Sequence, residues 1–260
     1  MSNKEFKIST SDGFVHGRQT DGKGMPVVLL HGSGASSDVF SHQIESYLGD
    51  TYRLVALDLP GHGRSSNAGH PAQTYTIGGM ASTVETVLAA LDIVQPAIFG
   101  WSMGGHIAIE LAARMPGIAG LALTGTPPIG PGAVAALRGF HASWDILLAS
   151  KDTFSDRDAE RFMRFCFGQS GTPEILDGIK RADGRLRPIF LRSIMRGEGI
   201  DQKREVEVNP VPLAMIDGFN DPIVRRGYLE HLSYANLWQN RLHVIQQAGH
   251  APFWQQPKAF

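Results

Sequence analysis

The chain has 260 residues, and its 24 Lys and Arg residues nearly balance its 25 Asp and Glu residues, which leaves a net charge of −1. This balance argues against the basic surface of a nucleic-acid-binding protein and against binding to anionic membranes. Apolar residues make up 42% and charged residues 19%, which is typical of a folded globular chain, and no apolar run approaches the ~18 residues of a membrane span. The N-terminus lacks the apolar segment of a secretory signal and Cys166 is the single cysteine, so we expect a cytoplasmic protein without intrachain disulfides.

Strands and helices alternate through the first half of the chain. The Asp-Gly pair at positions 12 and 13 predicts a hairpin of two strands, residues 6–10 and 15–20. After it, apolar runs and amphipathic patterns predict a strand over 26–32, a helix over 36–48, a strand over 52–59, a helix over 74–91, a strand over 96–101, a helix over 103–115 and a strand over 118–124. This alternation predicts a mostly parallel, doubly wound α/β sheet with helices on both faces.

The alternation stops after residue 126 and resumes near residue 209. Between them no run has the pattern of a buried strand, and helices are predicted over 134–148, 156–167, 173–181 and 186–195. The pattern then predicts a strand over 212–218, a helix over 223–232 and a strand over 242–247. We therefore expect an eight-stranded α/β core, residues 1–126 and 209–260, interrupted by a helical cap (lid) domain over residues 127–208.

The segment Gly100-Trp101-Ser102-Met103-Gly104 matches the G-x-S-x-G pattern of a nucleophile elbow. It lies where a predicted strand gives way to a predicted helix, which is the context that this pattern requires. A nucleophilic serine needs a sharp turn there, and any side chain two positions before or after it would clash. The pattern alone also fits a structural turn, but its context predicts that Ser102 is a catalytic nucleophile.

A serine nucleophile requires a base, and in this motif's chain order an acid and then a histidine follow the serine. His250 directly follows the last predicted strand, whereas the other histidines after the serine fall in helices, in the cap or inside a strand. The preceding strand leads into a loop that contains Asp217 and Asp221. We predict Asp221 as the acid because it stands past the turn and precedes a proline that fixes the backbone, with Asp217 as the alternative.

Two backbone N–H groups are predicted to hold the oxyanion that develops during the reaction. One belongs to Met103 at a helix start, and the other to Ser33 in the loop over residues 31–34, whose small residues allow close approach to a carbonyl oxygen. We expect His31 to brace this loop rather than to act as a base. The stretch that begins at Asp58 is expected to be a turn that shapes the floor of the site.

The cap is rich in aromatic residues, with six of the 13 phenylalanines of the chain. We predict that the substrate contacts Gly32, Phe140, Trp144, Phe162 and Phe219, with Trp238 as a further candidate. A helical cap also needs an apolar face to pack on the core, and this alternative explains the same composition. The ten histidines show neither the H-x-H-x-D-H nor the H-E-x-x-H spacing of a metal site, so we expect no metal and no cofactor.

Motifs along the whole chain resemble those of the α/β-hydrolase fold, in order: HGSG, DLPGHGRS, GWSMGG, the Asp221 loop and AGHAPFWQQP. The longer segment GWSMGGHIAIELAARMPGIAGLALTGTPP, with FSDRD in the cap and NLW and HVI before AGHAPF, resembles the metal-independent N-acyl-homoserine lactonases of this fold. The resemblance implies a Ser102–Asp221–His250 triad with oxyanion donors at Ser33 and Met103, and quorum-quenching opening of lactone signals. That family has Glu at the position of Asp221, so the carboxylate is kept. It has Asn at the position of Ser33, so the backbone donor is kept but the side chain near the lactone differs.

We therefore expect a serine hydrolase that opens N-acyl-homoserine lactones through an acyl-enzyme. The alternatives on the same fold are a carboxylesterase and a carbon–carbon-bond hydrolase of ring-cleavage products, whereas a dehalogenase or an epoxide hydrolase would carry Asp in place of Ser102. A non-catalytic ligand-binding protein is the alternative from another class.

The expected partner is a small acyl lactone or ester, with no nucleic acid and no membrane, and the expected state is a monomer or homodimer. The chain ends ten residues after His250, where this fold normally adds a helix. We expect either a further segment beyond Phe260 or an unusually short last helix.

Overall fold

A sheet of eight strands runs through the computed structural model, which describes residues 3–260. The strands are β1 Asn3–Thr10, β2 Gly13–Thr20, β3 Gly24–Leu30, β4 Tyr52–Leu57, β5 Ala97–Trp101, β6 Gly120–Thr124, β7 Leu213–Gly218 and β8 His243–Ile245. Their order in the sheet is β1-β2-β4-β3-β5-β6-β7-β8. β2 pairs antiparallel with β1 and with β4, and every other neighbouring pair is parallel. The predicted eight-stranded, mostly parallel sheet is confirmed.

The parallel strands bring distant loops to one edge of the sheet. β3, β5, β6, β7 and β8 all run in the same direction, so the loops that follow them meet at their carboxyl ends. The loops after β3, β5, β7 and β8 carry Ser33, Ser102, Asp221 and His250, respectively. In doubly wound sheets this carboxyl edge is where ligands bind. We call it the catalytic edge.

Twelve α-helices accompany the strands among the described residues. They are α1 Ser41–Ile44, α2 Tyr47–Thr51, α3 Pro71–Thr74, α4 Ile77–Ala90, α5 Met103–Arg114, α6 Ala133–Arg138, α7 Asp156–Phe167, α8 Pro173–Arg181, α9 Leu186–Met195, α10 Gln202–Val208, α11 Arg226–Glu230 and α12 Pro252–Gln255. Helices α6 to α10 all lie between β6 and β7 in the chain, where the sequence predicts a helical insertion. We call residues 127–208 the cap segment.

Two helices predicted in the first half of the chain are interrupted by serine or threonine caps. The helix predicted over 36–48 is wrong as a single element, because Ser46 is extended and its side chain accepts the Leu48 N–H, which separates α1 from α2. The helix predicted over 74–91 begins only at Ile77. There Thr76 is extended and accepts the Gly79 N–H, so α3 stands apart from α4.

The cap segment also departs from its predicted helices. The helix predicted over 134–148 is wrong as one element: α6 ends at Arg138, Phe140 forms a β-bridge with Val224, and a 3-10 helix covers Asp145–Ser150. The bridge to a distant residue pulls the chain out of helical geometry, which a local pattern does not reveal. Helix α10 is absent from the sequence prediction, whereas α7, α8 and α9 have the predicted bounds.

Aromatic side chains pack beneath the catalytic edge and join β5 to the end of the chain. Trp101 meets the rings of Phe253 and Phe167 edge-on, with centroids 5.3 and 5.2 Å apart. Its indole N–H donates to the carbonyl oxygen of His250 at 2.8 Å. The short helix α12, which carries Phe253, thereby fixes the position of the His250 loop relative to the strand that ends at Ser102.

Candidate active site

Ser102 occupies a strained turn between β5 and α5. Its backbone has φ 53° and ψ −117°, a conformation that residues other than glycine seldom adopt. A Cβ atom at Gly100 would lie 2.6 Å from the Cα of Gly105, and one at Gly104 would lie 2.1 Å from the carbonyl oxygen of Leu30. The glycines of the motif are therefore required for the close approach of α5 to the sheet, as the sequence pattern predicts.

His250 lies in the loop after β8 and is buried against the Asp221 carboxylate. Its Nδ1 donates to Oδ2 of Asp221 at 2.9 Å. The other carboxylate oxygen accepts the backbone N–H groups of Ile223 and Val224 at 2.7 and 3.1 Å. Because a carboxylate can only accept these bonds, Nδ1 carries a proton, and the hydrogen bond fixes the orientation of the imidazole.

Asp217, the alternative acid, faces a different partner. Its Oδ1 accepts the Gly125 N–H at 2.7 Å, and its buried Oδ2 has no hydrogen-bond partner among the described residues. Burial, together with the nearby negative charge of Asp221, raises the pKa of Asp217 to about 7. The carboxylate in contact with His250 is therefore that of Asp221, the residue that the sequence analysis preferred.

Two buried histidines brace the loop after β3. His31 Nδ1 donates to the Gly32 carbonyl oxygen at 2.8 Å, and its Nε2 accepts the Leu59 N–H at 3.0 Å. His62 Nε2 accepts the N–H of Gly34 at 3.0 Å. Burial lowers the pKa of both imidazoles, so they remain neutral and keep these roles. The prediction that His31 braces the loop is confirmed.

Two amides at the catalytic edge have no hydrogen-bond acceptor in the part of the chain that the structure describes. The N–H groups of Ser33 and Met103 take part in no hydrogen bond among the described residues, and both residues line the same cavity as Ser102. Met103 is the first residue of α5, where the helix dipole favours negative charge. The hydroxyl of Ser33 is buried and likewise lacks a partner among residues 3–260.

Asp58 organises the loop that follows β4. Its Oδ1 accepts a hydrogen bond from the Ser37 N–H at 2.7 Å, and its Oδ2 accepts hydrogen bonds from the Arg64 N–H at 2.9 Å and from His16 Nδ1 at 3.0 Å. Burial alone would raise the pKa of this carboxyl, but the backbone donors hold it below its ordinary value. Asp58 does not line the cavity, so its role is to hold the loops around the site.

A cavity of about 770 Å³ opens above Ser102. The core contributes Gly32, Ser33, Ser102, Met103, His106, Ile223 and His250 to its lining, and the cap segment contributes Phe140, Trp144, Leu147, Phe162, Phe165, Phe190 and Met195 among others. Four of the five residues predicted to contact substrate therefore line it. Such a volume, mostly apolar with a few polar groups at one end, is typical of a small-molecule site.

Phe219 is the predicted contact residue that the structure does not place in the cavity. Its side chain is 48% exposed and lies under the guanidinium of Arg226, 4.7 Å from the ring centroid. Its backbone N–H donates to the Ile245 carbonyl oxygen, which ties the loop to β8. Trp238 also lies outside the lining and stacks on His243 at 4.4 Å. Phe219 directly follows β7 and Trp238 precedes β8, but only packing decides on which side such a loop residue points.

Two buried polar residues of the lining were not predicted. Arg187 is buried in the cap segment, where its Nε donates to the Lys151 carbonyl oxygen at 2.7 Å and its guanidinium lies 3.8 Å from the Phe154 centroid. Burial lowers its pKa to about 10. His106 lies one turn into α5 and is one of the histidines whose predicted helical position argues against a role as the base. Its place in the first turn of the helix that follows Ser102 is the signal that could have identified it.

Within residues 3–260, no group of three or more His, Cys, Asp or Glu side chains has an arrangement that could hold a metal ion. No helix in that part of the chain has the length and apolar character to cross a membrane.

Known proteins resemble this chain over nearly its whole length. Crystal structures of the N-acyl homoserine lactonase AidH superpose on this chain with a TM-score of 0.95. In the complex with N-butanoyl homoserine, AidH is 37% identical in sequence, and the match covers 98% of this chain and 92% of AidH. A Ser-to-Gly variant of AidH with N-hexanoyl homoserine lactone is 36% identical, with coverages of 98% and 93%. The pimeloyl-[acyl-carrier protein] methyl ester esterase of Chromobacterium violaceum is 31% identical over 250 residues, which cover 90% of this chain and 91% of the esterase.

The family model described as the alpha/beta hydrolase family matches residues 27–260. That range contains the strained serine turn, the His250–Asp221 pair and the cap segment. The chain therefore belongs to the alpha/beta hydrolase family and is a hydrolase.

Proposed function

We propose that this protein is a serine hydrolase that opens the lactone ring of N-acyl-homoserine lactones. The observation that carries the proposal is one apolar cavity that holds Ser102, His250 and two unpaired backbone N–H groups together at one end. The near-complete structural similarity to a lactonase that binds acyl homoserine compounds supports the choice of substrate.

In the proposed mechanism Ser102, His250 and Asp221 act as a triad. Oγ of Ser102 attacks the lactone carbonyl carbon while Nε2 of His250 takes its proton. Asp221 holds the imidazole through Nδ1 and stabilises the cation that forms, without accepting the proton. The tetrahedral oxyanion accepts hydrogen bonds from the Ser33 and Met103 amides, each of which contributes about 3 kcal/mol to lowering the barrier.

Collapse of the intermediate breaks the bond to the ring oxygen. His250 returns its proton to the departing alkoxide, which stays tethered to the acyl-enzyme because it belongs to the same molecule. Water, activated by the same imidazole, then attacks the ester on Ser102 and releases the acyl homoserine. These proposed steps use no metal ion and no cofactor.

The cap segment is proposed to act as a lid domain that binds the acyl chain. Phe140, Trp144 and Phe162 line the cavity beyond Ser102, and Gly32 lies at its base. Burying an acyl chain against such side chains contributes about 0.8 kcal/mol for each CH₂ group. We expect a small-molecule substrate and no nucleic-acid partner.

A carboxylesterase of unbranched acyl esters is the second candidate function. It is favoured by the sequence similarity to the methyl ester esterase of Chromobacterium violaceum, which covers most of both chains. The two functions share one acyl-enzyme mechanism, so they differ only in which leaving alcohol the cavity accepts. No feature of the cavity specifically favours the carbon–carbon-bond hydrolase or the non-catalytic receptor.

A panel assay with mass-spectrometric detection tests this proposal. Purified wild-type protein and its Ser102→Ala variant are incubated with N-acyl-homoserine lactones of short and long chains, with methyl esters of the same acids, and with a vinylogous diketone. We expect ring-opened lactone at the highest kcat/KM, and a loss of about 10⁶-fold in the variant.

An enzyme-free sample corrects for spontaneous hydrolysis, and circular dichroism shows that the variant is folded. Chelator treatment should leave the activity of the wild type unchanged. Esters cleaved without any ring-opened lactone would establish the esterase instead, and lactonase activity that survives in folded Ser102→Ala would contradict the nucleophile.

A further inference from the structure

His106 presents a polar atom to an otherwise apolar part of the cavity. It lies on α5 one turn after Ser102, and its backbone N–H donates to the Ser102 carbonyl oxygen at 3.2 Å. The imidazole is 4% exposed and lines the cavity beside Phe140, with ring centroids 6.3 Å apart. The mechanism proposed above gives this side chain no part.

The buried amide of Gln202 determines which nitrogen of His106 carries the proton. Gln202 Nε2 donates to the backbone carbonyl oxygen of His106 at 3.2 Å, so its Oε1 is the atom 2.8 Å from the imidazole Nδ1. A carbonyl oxygen only accepts, hence Nδ1 must donate and Nε2 must carry a lone pair. Burial lowers the pKa of His106 to about 4, which keeps the ring neutral at ordinary pH.

The remaining ring atom is an acceptor without a protein donor. Among the described residues, no hydrogen bond reaches Nε2 of His106. Most side chains around the cavity are apolar, so a substrate that fills it displaces the water available to this nitrogen. A bound substrate is therefore favoured if it brings its own donor to that position.

The position of His106 matches a donor close to the reacting carbonyl. Ser102 is the residue that precedes α5, His106 lies in its first turn, and both line the cavity. Side chains on a helix point back towards its N-terminus. The His106 ring therefore leans towards the turn that carries Ser102. In an N-acyl-homoserine lactone the amide nitrogen is attached to the carbon next to the lactone carbonyl, so its N–H lies within the first few ångströms beyond the reacting atom.

We propose that His106 is a specificity-determining residue whose Nε2 accepts a hydrogen bond from an amide N–H on the carbon next to the scissile carbonyl. Gln202 is the positioning residue that keeps Nε2 unprotonated. This inference rests on the proposed lactonase function and deepens it: the preferred substrates are N-acylated lactones rather than lactones with a plain alkyl substituent.

The test compares two lactones that differ in this single group. One is N-hexanoyl homoserine lactone, and the other is its carbon analogue, in which CH₂ replaces the amide N–H and the ketone carbonyl is retained. Ring opening of each is measured by mass spectrometry as kcat/KM for wild type and three variants. The ratio of the two values isolates the contribution of the N–H group from general losses of activity or folding.

The variants separate recognition from packing. His106→Leu removes the acceptor, whereas His106→Gln keeps a carbonyl oxygen that can reach the position of Nε2. His141→Leu is the matched control, since His141 also lines the cavity but its side chain forms no hydrogen bond among the described residues. Thermal unfolding of each variant establishes that it is folded.

We expect wild type and His141→Leu to prefer the amide lactone by about tenfold, the size of one unmade hydrogen bond. The preference should vanish in His106→Leu and return in part in His106→Gln. Equal losses on both lactones in His106→Leu, or no preference in wild type, would overturn this inference alone. A wild type that opens neither lactone would overturn the proposed function together with it.

Discussion

The catalytic edge of the core and the cap segment place their side chains in the cavity by different kinds of contact. At the catalytic edge, buried polar groups hold the loops: the His31 and His62 rings bond to backbone atoms, and Asp221 accepts two backbone N–H groups. In the cap segment the lining is largely apolar, and at the cavity mouth the side chains of Leu137 and Trp144 are 61% and 83% exposed.

Because of this difference, we expect the catalytic edge to determine the reaction and the cap segment to determine which substrates bind. Hydrogen bonds fix direction as well as distance, so a site that must place a nucleophile, a base and two oxyanion donors needs them on rigid loops. Apolar contact is non-directional and tolerates ligands of various lengths. Changes at the catalytic edge should therefore alter kcat for every substrate, whereas changes at the cap mouth should alter KM for long acyl chains only.

After the loss of Ser102 itself, the largest effect is expected from the acid that orients the base. Asp221→Asn would let His250 adopt the wrong tautomer and should lower kcat by about 10⁴-fold on all substrates. Asp221→Glu keeps a carboxylate and should lose much less activity. Steady-state kinetics on one short and one long acyl lactone test both variants. Near-wild-type kcat in folded Asp221→Asn would show that this carboxylate is dispensable.

A smaller loss is expected from crowding the oxyanion loop. A Cβ at Gly32 would lie 3.0 Å from Cε3 of Trp101 and 3.2 Å from Cβ of Ser102. We therefore expect Gly32→Ala to shift the loop that carries the Ser33 amide relative to Ser102. Loss of one oxyanion donor lowers kcat by about 10²-fold. The control is Gly227→Ala, since a Cβ at Gly227 meets nothing within 4 Å. Equal kcat values for the two variants would contradict the proposed position of the donor.

Truncating the cap mouth should change affinity and not chemistry. Trp144→Ala removes an exposed side chain that contacts the cavity, and we expect KM for a long-chain lactone to rise about fivefold while kcat and the short-chain KM stay the same. Trp238→Ala is the control, because Trp238 is half-exposed but lies outside the lining. A similar rise for short and long chains would mean that Trp144 does not contact the acyl chain.

Substitution of Asp217 is expected to have the smallest effect on activity and to change mainly the stability of the fold. The pKa of Asp217 is raised from 3.8 to about 7, so the folded protein binds this proton more tightly than the unfolded chain does. Its contribution to stability is then complete below pH 3.8 and is lost as the pH rises towards about 7.

Asp217→Asn removes this dependence. The variant should unfold at a temperature several degrees above wild type at pH 8, and the difference should disappear near pH 4. Its kcat should stay within about threefold of wild type, because among the described residues Asp217 forms no hydrogen bond with His250, whose Nδ1 donates to Asp221. Thermal unfolding followed from pH 4 to pH 8 measures this, and a variant that is less stable than wild type at pH 8 would contradict the burial of a charge there.

Several features of the site could be predicted because they depend on local geometry. Gly100 and Gly104 mark a turn that only glycine permits at these positions, and this turn identifies Ser102. The order of strands along the chain predicts where His250 lies, since parallel strands bring their carboxyl ends together. The helices α7, α8 and α9 were predicted within their bounds because each carries its own cap or regular apolar spacing.

Other features depend on partners far away in the chain. The break after α6 follows from the bridge between Phe140 and Val224, and Phe219 points outwards because its backbone is tied to β8. No periodicity within either segment records these contacts. For the same reason the prediction over 134–148 and the placement of Phe219 in the cavity were wrong.

By itself, the sequence determined the α/β alternation, the elbow at Ser102 and the short set of candidate acids and bases, because these depend on the conformations that neighbouring residues allow. The tertiary structure alone decided that Asp221 rather than Asp217 meets His250, and that Gln202 leaves an acceptor on His106. The partners in these two hydrogen bonds are 29 and 96 positions apart in the chain, so the bonds form only after the strands and the cap segment have packed. Packing therefore decides how deeply these side chains are buried and which atoms they present.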